Sequence, residues 1–198
     1  MIIKSYCKIN LFLKVLRKNN RGLHNIQSTT MLLDLHDKIS IKKIKKKKDE
    51  IVFTGPFKKN IKSNANTITN VLSVLRNHNL ISDNPRYKII VNKRIPVFAG
   101  LGGGTGNAIS VIKYFLKNKI NLKLLKIFEN KIGSDLRLFF FNHSFQQDLE
   151  KIKLFKKKFN FFFLLIYPNI KSSTKKVYSN VKKFNSPLSM DPSKMLSK

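Results

Sequence analysis

The 198-residue chain has one cysteine, no tryptophan and ten acidic residues. With Cys7 alone, no internal disulfide can form and a cysteine-rich metal site is excluded. No apolar secretory segment opens the sequence. The most apolar late run, FFFLLIY at residues 161–167, falls far short of the ~20 residues that a membrane-spanning helix needs. No membrane partner is expected, and the cytoplasm is the expected location. Glycine is also scarce, with eight in all, yet five of them lie between Gly100 and Gly106.

A hydrophobic fraction of 42%, with 16 Phe and 5 Tyr, supports a real core and excludes a disordered composition. The length suits one sizeable domain, or one domain and part of a second. Forty Lys and Arg against the ten acids give a formal net charge of +30. Such a field attracts polyanions. The lysines are scattered, however, which favours a broad substitution toward Lys, Asn, Ile and Phe over a nucleic-acid surface. IKKIKKKKDE at residues 41–50 is a true cluster, expected at a hairpin or its flank. It has no zinc finger, helix-turn-helix or RNP-like aromatic motif beside it.

IIKSYCKINLFLKVL, QSTTMLLDLHDKISI and DEIVFTG read as strands, with NNRGLHN at 19–25 as a turn or loop, so the first third is β-rich. From Asn66 the period changes. Ile68, Val71, Leu72 and Leu75 fall on one helical face. RYKIIVNKRI then alternates like a strand up to Pro96, and Ala108, Val111, Ile112 and Phe115 form a second helical stripe. A further helix is expected over Leu122–Ile132, closed near Gly133. FNFFFLLIYP reads as a buried strand stopped by Pro168, and Ser172, Ser173 or Thr174 as the cap of a helix carrying Val177, Tyr178 and Val181. This order predicts a two-layer α/β or α+β fold.

The glycines sit in IPVFAGLGGGTGN, residues 95–107, between a strand and a helix. Glycine lets backbone N–H groups approach an anion closely, and the first turn of a helix offers unpaired N–H groups with a favourable dipole. Thr105 adds a hydroxyl for a phosphate or its magnesium ion. No lysine follows Gly106, which rules out the P-loop, and the Rossmann GxGxxG fails because Thr105 or Asn107 stands at the third glycine position.

IPVFAGLGGGTGNA resembles the central motif of the small-molecule kinases grouped with galactokinase, homoserine kinase, mevalonate kinase and phosphomevalonate kinase. Within that superfamily the pattern is most similar to the 4-diphosphocytidyl-2-C-methyl-D-erythritol kinases. CKINLFLKV, RGLHNIQS, LLDLHDKISI, IGSDLRLFF and LLIYPNIKSSTKKVY match that family in order, from Cys7 to Tyr178. The resemblance implies an N-terminal domain over 1–150 with the fold of ribosomal protein S5 domain 2, and a partial ferredoxin-like second domain over 151–198. It implies ATP, with Mg2+, as the phosphate donor and a cytidine-diphosphate-linked sugar alcohol as the acceptor. Asp135 would be the catalytic base and Lys8 its cationic neighbour. Lys93, Pro96, Gly100, Leu101, Gly102, Gly103, Gly104, Thr105, Gly106 and Asn107 would fall on the ATP side. Asn10, Leu23 and His24 would meet the acceptor, His24 at the cytosine base. Thr174 and Tyr178 would serve mainly packing and capping, with substrate contact as the lesser alternative, and no metal-binding residues are expected.

Several positions depart from the family pattern. Leu23 stands in place of a base-packing tyrosine, Arg21 in place of an aspartate and Arg137 in place of a proline, and NHSFQQDLEKIK replaces a glycine-bearing stretch. The later glycine/serine-rich motif of the family does not precede Lys198. The expectation is therefore a second domain cut after its first strand and helix. Its alternatives are a shortened enzyme, an inactive remnant, or a fragment completed by another chain or a second copy. A kinase of the same superfamily with another small-alcohol substrate, or a basic nucleic-acid-binding module, are the competing functions.

Overall fold

The computed structural model describes residues 1–18, 24–117, 119–155, 160–168, 170 and 174–188. Strand β1 (Ile2–Lys18) and strand β2 (His24–Ile44) form a long antiparallel pair. The other edge of β2 is shared. Strand β4 (Arg86–Asn92) lies along Lys38–Ile44, and β5 (His143–Gln146) along Ser28–Met31. Strand β3 (Glu50–Thr54) adds parallel to β4, and β6 (Ile152–Leu154) adds antiparallel to β5. A parallel pair needs a crossover, which helix α1 (Thr67–Asn77) supplies between β3 and β4.

Helices α1, α2 (Gly103–Leu116) and α3 (Leu122–Ile132) cover one face of the sheet. Strand alternation puts Ile39, Ile51, Ile89 and Val91 on that face, where they meet Val71, Leu75, Val111, Ile112 and Phe128. The stripe read from sequence is the buried face of α1, whereas α2 is buried continuously from Gly106 to Ile112 and the Phe115 of its stripe is half-buried. Ends are set locally. The Asn66 carboxamide oxygen accepts from Ile68 N at 2.9 Å and Thr69 N at 3.1 Å, which starts α1. Asn121 does the same for α3 through Leu124 N at 2.8 Å. Arg76 near the end of α1 grips the Asp49 carboxylate at 2.9 and 3.0 Å, and Asp49 also accepts Tyr87 N at 2.7 Å, so one acid joins α1 to β4.

Some expectations are corrected. The lysine cluster makes no hairpin, because β4 lies between β2 and β3 and the cluster carries the chain past it. His24 and Asn25 extend β2, opposite Lys18 and Arg17, instead of lying in a loop; residues 19–23 lie outside the described residues. The strand at RYKIIVNKRI ends at Asn92. Residues 160–168 form no strand, and Phe162, Leu164 and Ile166 are exposed. A strand needs a neighbour for its backbone groups, and among the described residues no strand pairs with this stretch. Helix α4 spans Thr174–Ser179 with Val177 exposed and Val181 beyond its end, and the proposed caps Ser172 and Ser173 lie outside the described residues.

Cys7 is fully buried on β1, and burial pushes its thiol up to about 11. At pH 8 a thiol reagent should therefore leave the folded protein unlabelled and react only as fast as the chain unfolds. Prompt labelling of native protein would contradict this placement of β1.

Candidate active site

β4 runs into the glycine loop over a buried acid. Asp37 is fully buried on β2, and its carboxylate accepts from Lys93 Nζ, from Arg94 N at 2.7 Å and from Ile95 N at 2.9 Å. These bonds turn the chain out of the sheet. Burial lowers the pKa of Lys93, and the Asp37 charge opposes that shift. The half-buried Pro96 continues the turn toward Gly100, whose φ of +74° is the left-handed conformation that glycine adopts freely. Leu101 O accepts from Lys8 N at 2.9 Å, which ties the loop to β1.

Gly102, with φ of 66°, caps α2 without any side-chain hydrogen bond. The first ladder bond of the helix is Gly106 N to Gly102 O at 2.9 Å, so the N–H groups of Gly103, Gly104 and Thr105 are the unpaired donors of the first turn. Gly104 is exposed, and Thr67 Oγ1 steadies it by donating to its carbonyl at 2.8 Å. A bare helix start of this kind fits a phosphate.

The glycines divide into two kinds. A Cβ on Gly106 would lie 2.4 Å from Tyr6 O, and one on Gly103 would lie 3.0 Å from Ile95 Cγ2, so these two let α2 approach β1 and the β4 exit. Asn107 is buried and accepts from Ser5 Oγ at 2.8 Å. Lys93, Gly106 and Asn107, expected on the ATP side, turn their side chains or Cβ positions toward the fold and support the loop from behind.

Lys8, Asn10 and Asp135 meet in front of that loop. Lys8 lies under Gly102, with only 8% of its surface exposed, and its Nζ donates to Asn10 Oδ1 at 3.2 Å. Ser28 Oγ also lies 3.2 Å from Asn10 Oδ1, on the neighbouring strand. Burial lowers the pKa of Lys8, and the charge of Asp135 partly restores it. Asp135 follows Gly133 (φ 153°) at the start of a 3-10 turn, Leu136–Phe140, whose Leu136 and Phe139 are anchored in the core. Thr105 Oγ1 donates to Asp135 Oδ1 at 3.2 Å. The helix start, a buried ammonium and a carboxylate therefore converge, and the charge of Asp135 is felt at Lys8. A hydroxyl group between them would meet a proton acceptor and a cation.

His24 lies further along the β1–β2 pair. Its Nε2 is buried without a hydrogen-bond partner, and its ring stacks on Tyr178 at 5.2 Å and 23°. Burial and then the Asp135 charge raise the pKa of the Tyr178 hydroxyl. Tyr178 thus packs on His24 within reach of the Asp135 charge. Leu23 and Arg21 lie outside the described residues. Sequence reasoning missed Asp37, whose signal was an acid two positions from Ile39 on the core face of β2, and Ser5 and Ser28, which carried none. A cavity of about 570 Å³ between β3 and α1 lies elsewhere, and its Asp49 and Arg76 are already paired.

Two expectations follow. Gly106→Ala should cost about 1–3 kcal/mol of stability by overpacking, whereas Gly104→Ala, with ordinary contacts of 3.6 Å to Thr67, should keep or gain stability in urea unfolding. Asp135→Asn should lower the Lys8 ammonium pKa further, because it removes the charge that raises it; nitrogen NMR of labelled lysine reads this directly.

Comparison with known proteins gives the family and the fold. The family model described as the GHMP kinases N terminal domain matches residues 66–136, which cover α1, the glycine loop and Asp135. A 4-diphosphocytidyl-2-C-methyl-D-erythritol kinase of Pelagibacter ubique is 41% identical, over 98% of this chain and 69% of its own length. Another, from a Sulfurihydrogenibium species, is 35% identical over 92% of this chain and 66% of its own length. Among solved structures, a 4-(cytidine 5'-diphospho)-2C-methyl-D-erythritol kinase superposes with a TM-score of 0.68 at 21% identity, covering 96% of this chain and 68% of that one. The fold is an α+β domain of the GHMP-kinase type. The chain spans about two thirds of the length of these relatives, and it belongs to the 4-diphosphocytidyl-2-C-methyl-D-erythritol kinase family.

Proposed function

We propose that this chain phosphorylates the 2-hydroxyl of 4-diphosphocytidyl-2-C-methyl-D-erythritol with ATP, a step toward isoprenoid precursors by the non-mevalonate route. The observation that carries the proposal is the convergence of Lys8, Asp135 and the bare start of α2 in one place. Bound ATP would supply the phosphoryl group, with Mg2+ offsetting its charge. The N–H groups of Gly103, Gly104 and Thr105 would hold phosphate oxygens. Among the described residues no group of three or more His, Cys, Asp or Glu side chains is gathered. The triphosphate would therefore provide most ligands of the ion, next to Thr105 and Asp135.

The protein's own part is positioning and proton transfer. Asp135 would take the proton of the acceptor hydroxyl as its oxygen bonds to phosphorus and ADP departs. Lys8 would stabilise the negative charge growing on that oxygen, and its burial strengthens the effect by excluding water. Asn10, fixed by Lys8 and Ser28, would orient the alcohol. The unpartnered His24 Nε2 would meet the base edge, with Tyr178 as the flat neighbour. Residues 1–150 would form the ATP-binding side and 151–198 the start of the substrate side. No helix among the described residues is long and apolar enough to cross a membrane, and we place the reaction in the cytoplasm.

The test is ATP-dependent phosphate transfer by the full chain to this acceptor and to a panel of other small alcohols. Lys8→Ala and Asp135→Asn should each lower turnover by about 10²–10⁴-fold. A folded preparation that transfers phosphate to none of the alcohols defeats the activity. Faster transfer to another alcohol replaces the acceptor, and turnover that survives both substitutions removes the assigned roles.

A further inference from the structure

We infer that Arg137 is a positioning residue that sets the place of Asp135 by closing a clamp around the turn that bears it. Residues 133–135 leave α3 through Gly133, and Asp135 opens the 3-10 turn. Leu136 and Leu138 point into the core, which sends the intervening Arg137 the other way. There its guanidinium meets Glu129 of α3 in a two-pronged contact, Nε to Oε1 at 2.5 Å and Nη2 to Oε2 at 2.6 Å. Its remaining Nη1 donates to Glu150 O at 2.5 Å, in the connection between β5 and β6.

Both side chains of the pair are largely covered, at 14% exposure for Arg137 and 11% for Glu129. The contact therefore escapes most of the screening that weakens surface pairs, and its planar geometry fixes direction as well as distance. Glu129 and Arg137 flank Asp135 at sequence separations of six and two. The contact thus closes a short ring of chain with Gly133 and Asp135 inside it. Gly133, at φ 153°, is the flexible member of that ring. On the opposite side, the hydroxyl of Thr105 is the group among the described residues that holds the carboxylate itself. A carboxylate that must meet an alcohol within hydrogen-bond distance tolerates little drift, and a misplacement of about 1 Å can cost 10²-fold in rate.

The kinetic arm of the test rests on the proposed phosphoryl transfer, and the exchange arm does not. In the full chain, Arg137→Gln should speed amide hydrogen exchange over residues 133–138 and lower kcat at least about tenfold, while KM for ATP stays within about twofold. Arg137→Lys keeps the charge but loses the fork, and should fall between the two. The reversed pair, Glu129→Arg with Arg137→Glu, should slow the exchange again and recover part of kcat; it also serves if Arg137→Gln does not fold. Unchanged exchange at 133–138 overturns the clamp. Faster exchange with kcat within about twofold of the wild type overturns the positioning role. If the wild type itself transfers no phosphate, the proposed function fails, and the exchange result still decides whether the clamp holds the turn.

Discussion

The site depends on one buried acid. Asp37 takes an ammonium and two consecutive backbone N–H groups at the point where β4 gives way to the glycine loop. An uncompensated charge at that depth would cost several kcal/mol, so Lys93 is needed as much as Asp37. The arrangement has a geometric result. Lys93 N still bonds Thr54 O on β3 at 2.8 Å, but the next two donors, Arg94 N and Ile95 N, are taken by an acid on β2, and the chain turns out across the start of α2. Everything that would touch phosphate is positioned by that turn.

The second constraint is the closeness of α2 to β1. It rests on the absence of a Cβ at Gly106, on the Ser5–Asn107 hydrogen bond and on the tie between Lys8 N and Leu101 O. These contacts bring the helix start next to Lys8, and Thr105 then reaches Asp135. The same packing desolvates Lys8, which lowers its pKa, while Asp135 supplies the opposing charge. Support and chemistry are thus divided between neighbouring residues of one short motif. The Cβ positions of Gly103 and Gly106 and the Asn107 side chain pack behind the loop, and the N–H groups of Gly103, Gly104 and Thr105 are left for a ligand.

Much of this was legible in the sequence, for physical reasons. Helical stripes such as Ile68, Val71, Leu72 and Leu75 are local patterns, and their burial follows from period alone. The glycine concentration announced a backbone-driven loop, and Lys8, Asn10 and Asp135 followed from ordered resemblance. What stayed hidden depends on long-range pairing. Nothing local in IKKIKKKKDE shows that β4 will come between β2 and β3. Lys93 reads as one basic residue beside a phosphate loop until Asp37, 56 positions earlier, is seen under it. FFFLLI at 161–166 carries strand propensity, but with no neighbouring strand among the described residues its side chains stay exposed. Arg137 reads only as a departure from the family's proline, and the structure gives it a partner in Glu129.

The net charge of +30 offers a simpler rival account, in which ATP is drawn to any cluster of lysines. The two accounts separate in an amide NMR titration of the full chain with magnesium and ATP at physiological salt. A built site predicts saturable shifts at Gly102, Gly103, Gly104 and Thr105, with accompanying changes at Lys8 and Asp135, and little change between Lys42 and Lys48. Shifts concentrated at Lys42–Lys48, with the glycine loop unmoved, would contradict the claim that the loop, Lys8 and Asp135 form one phosphoryl-transfer site.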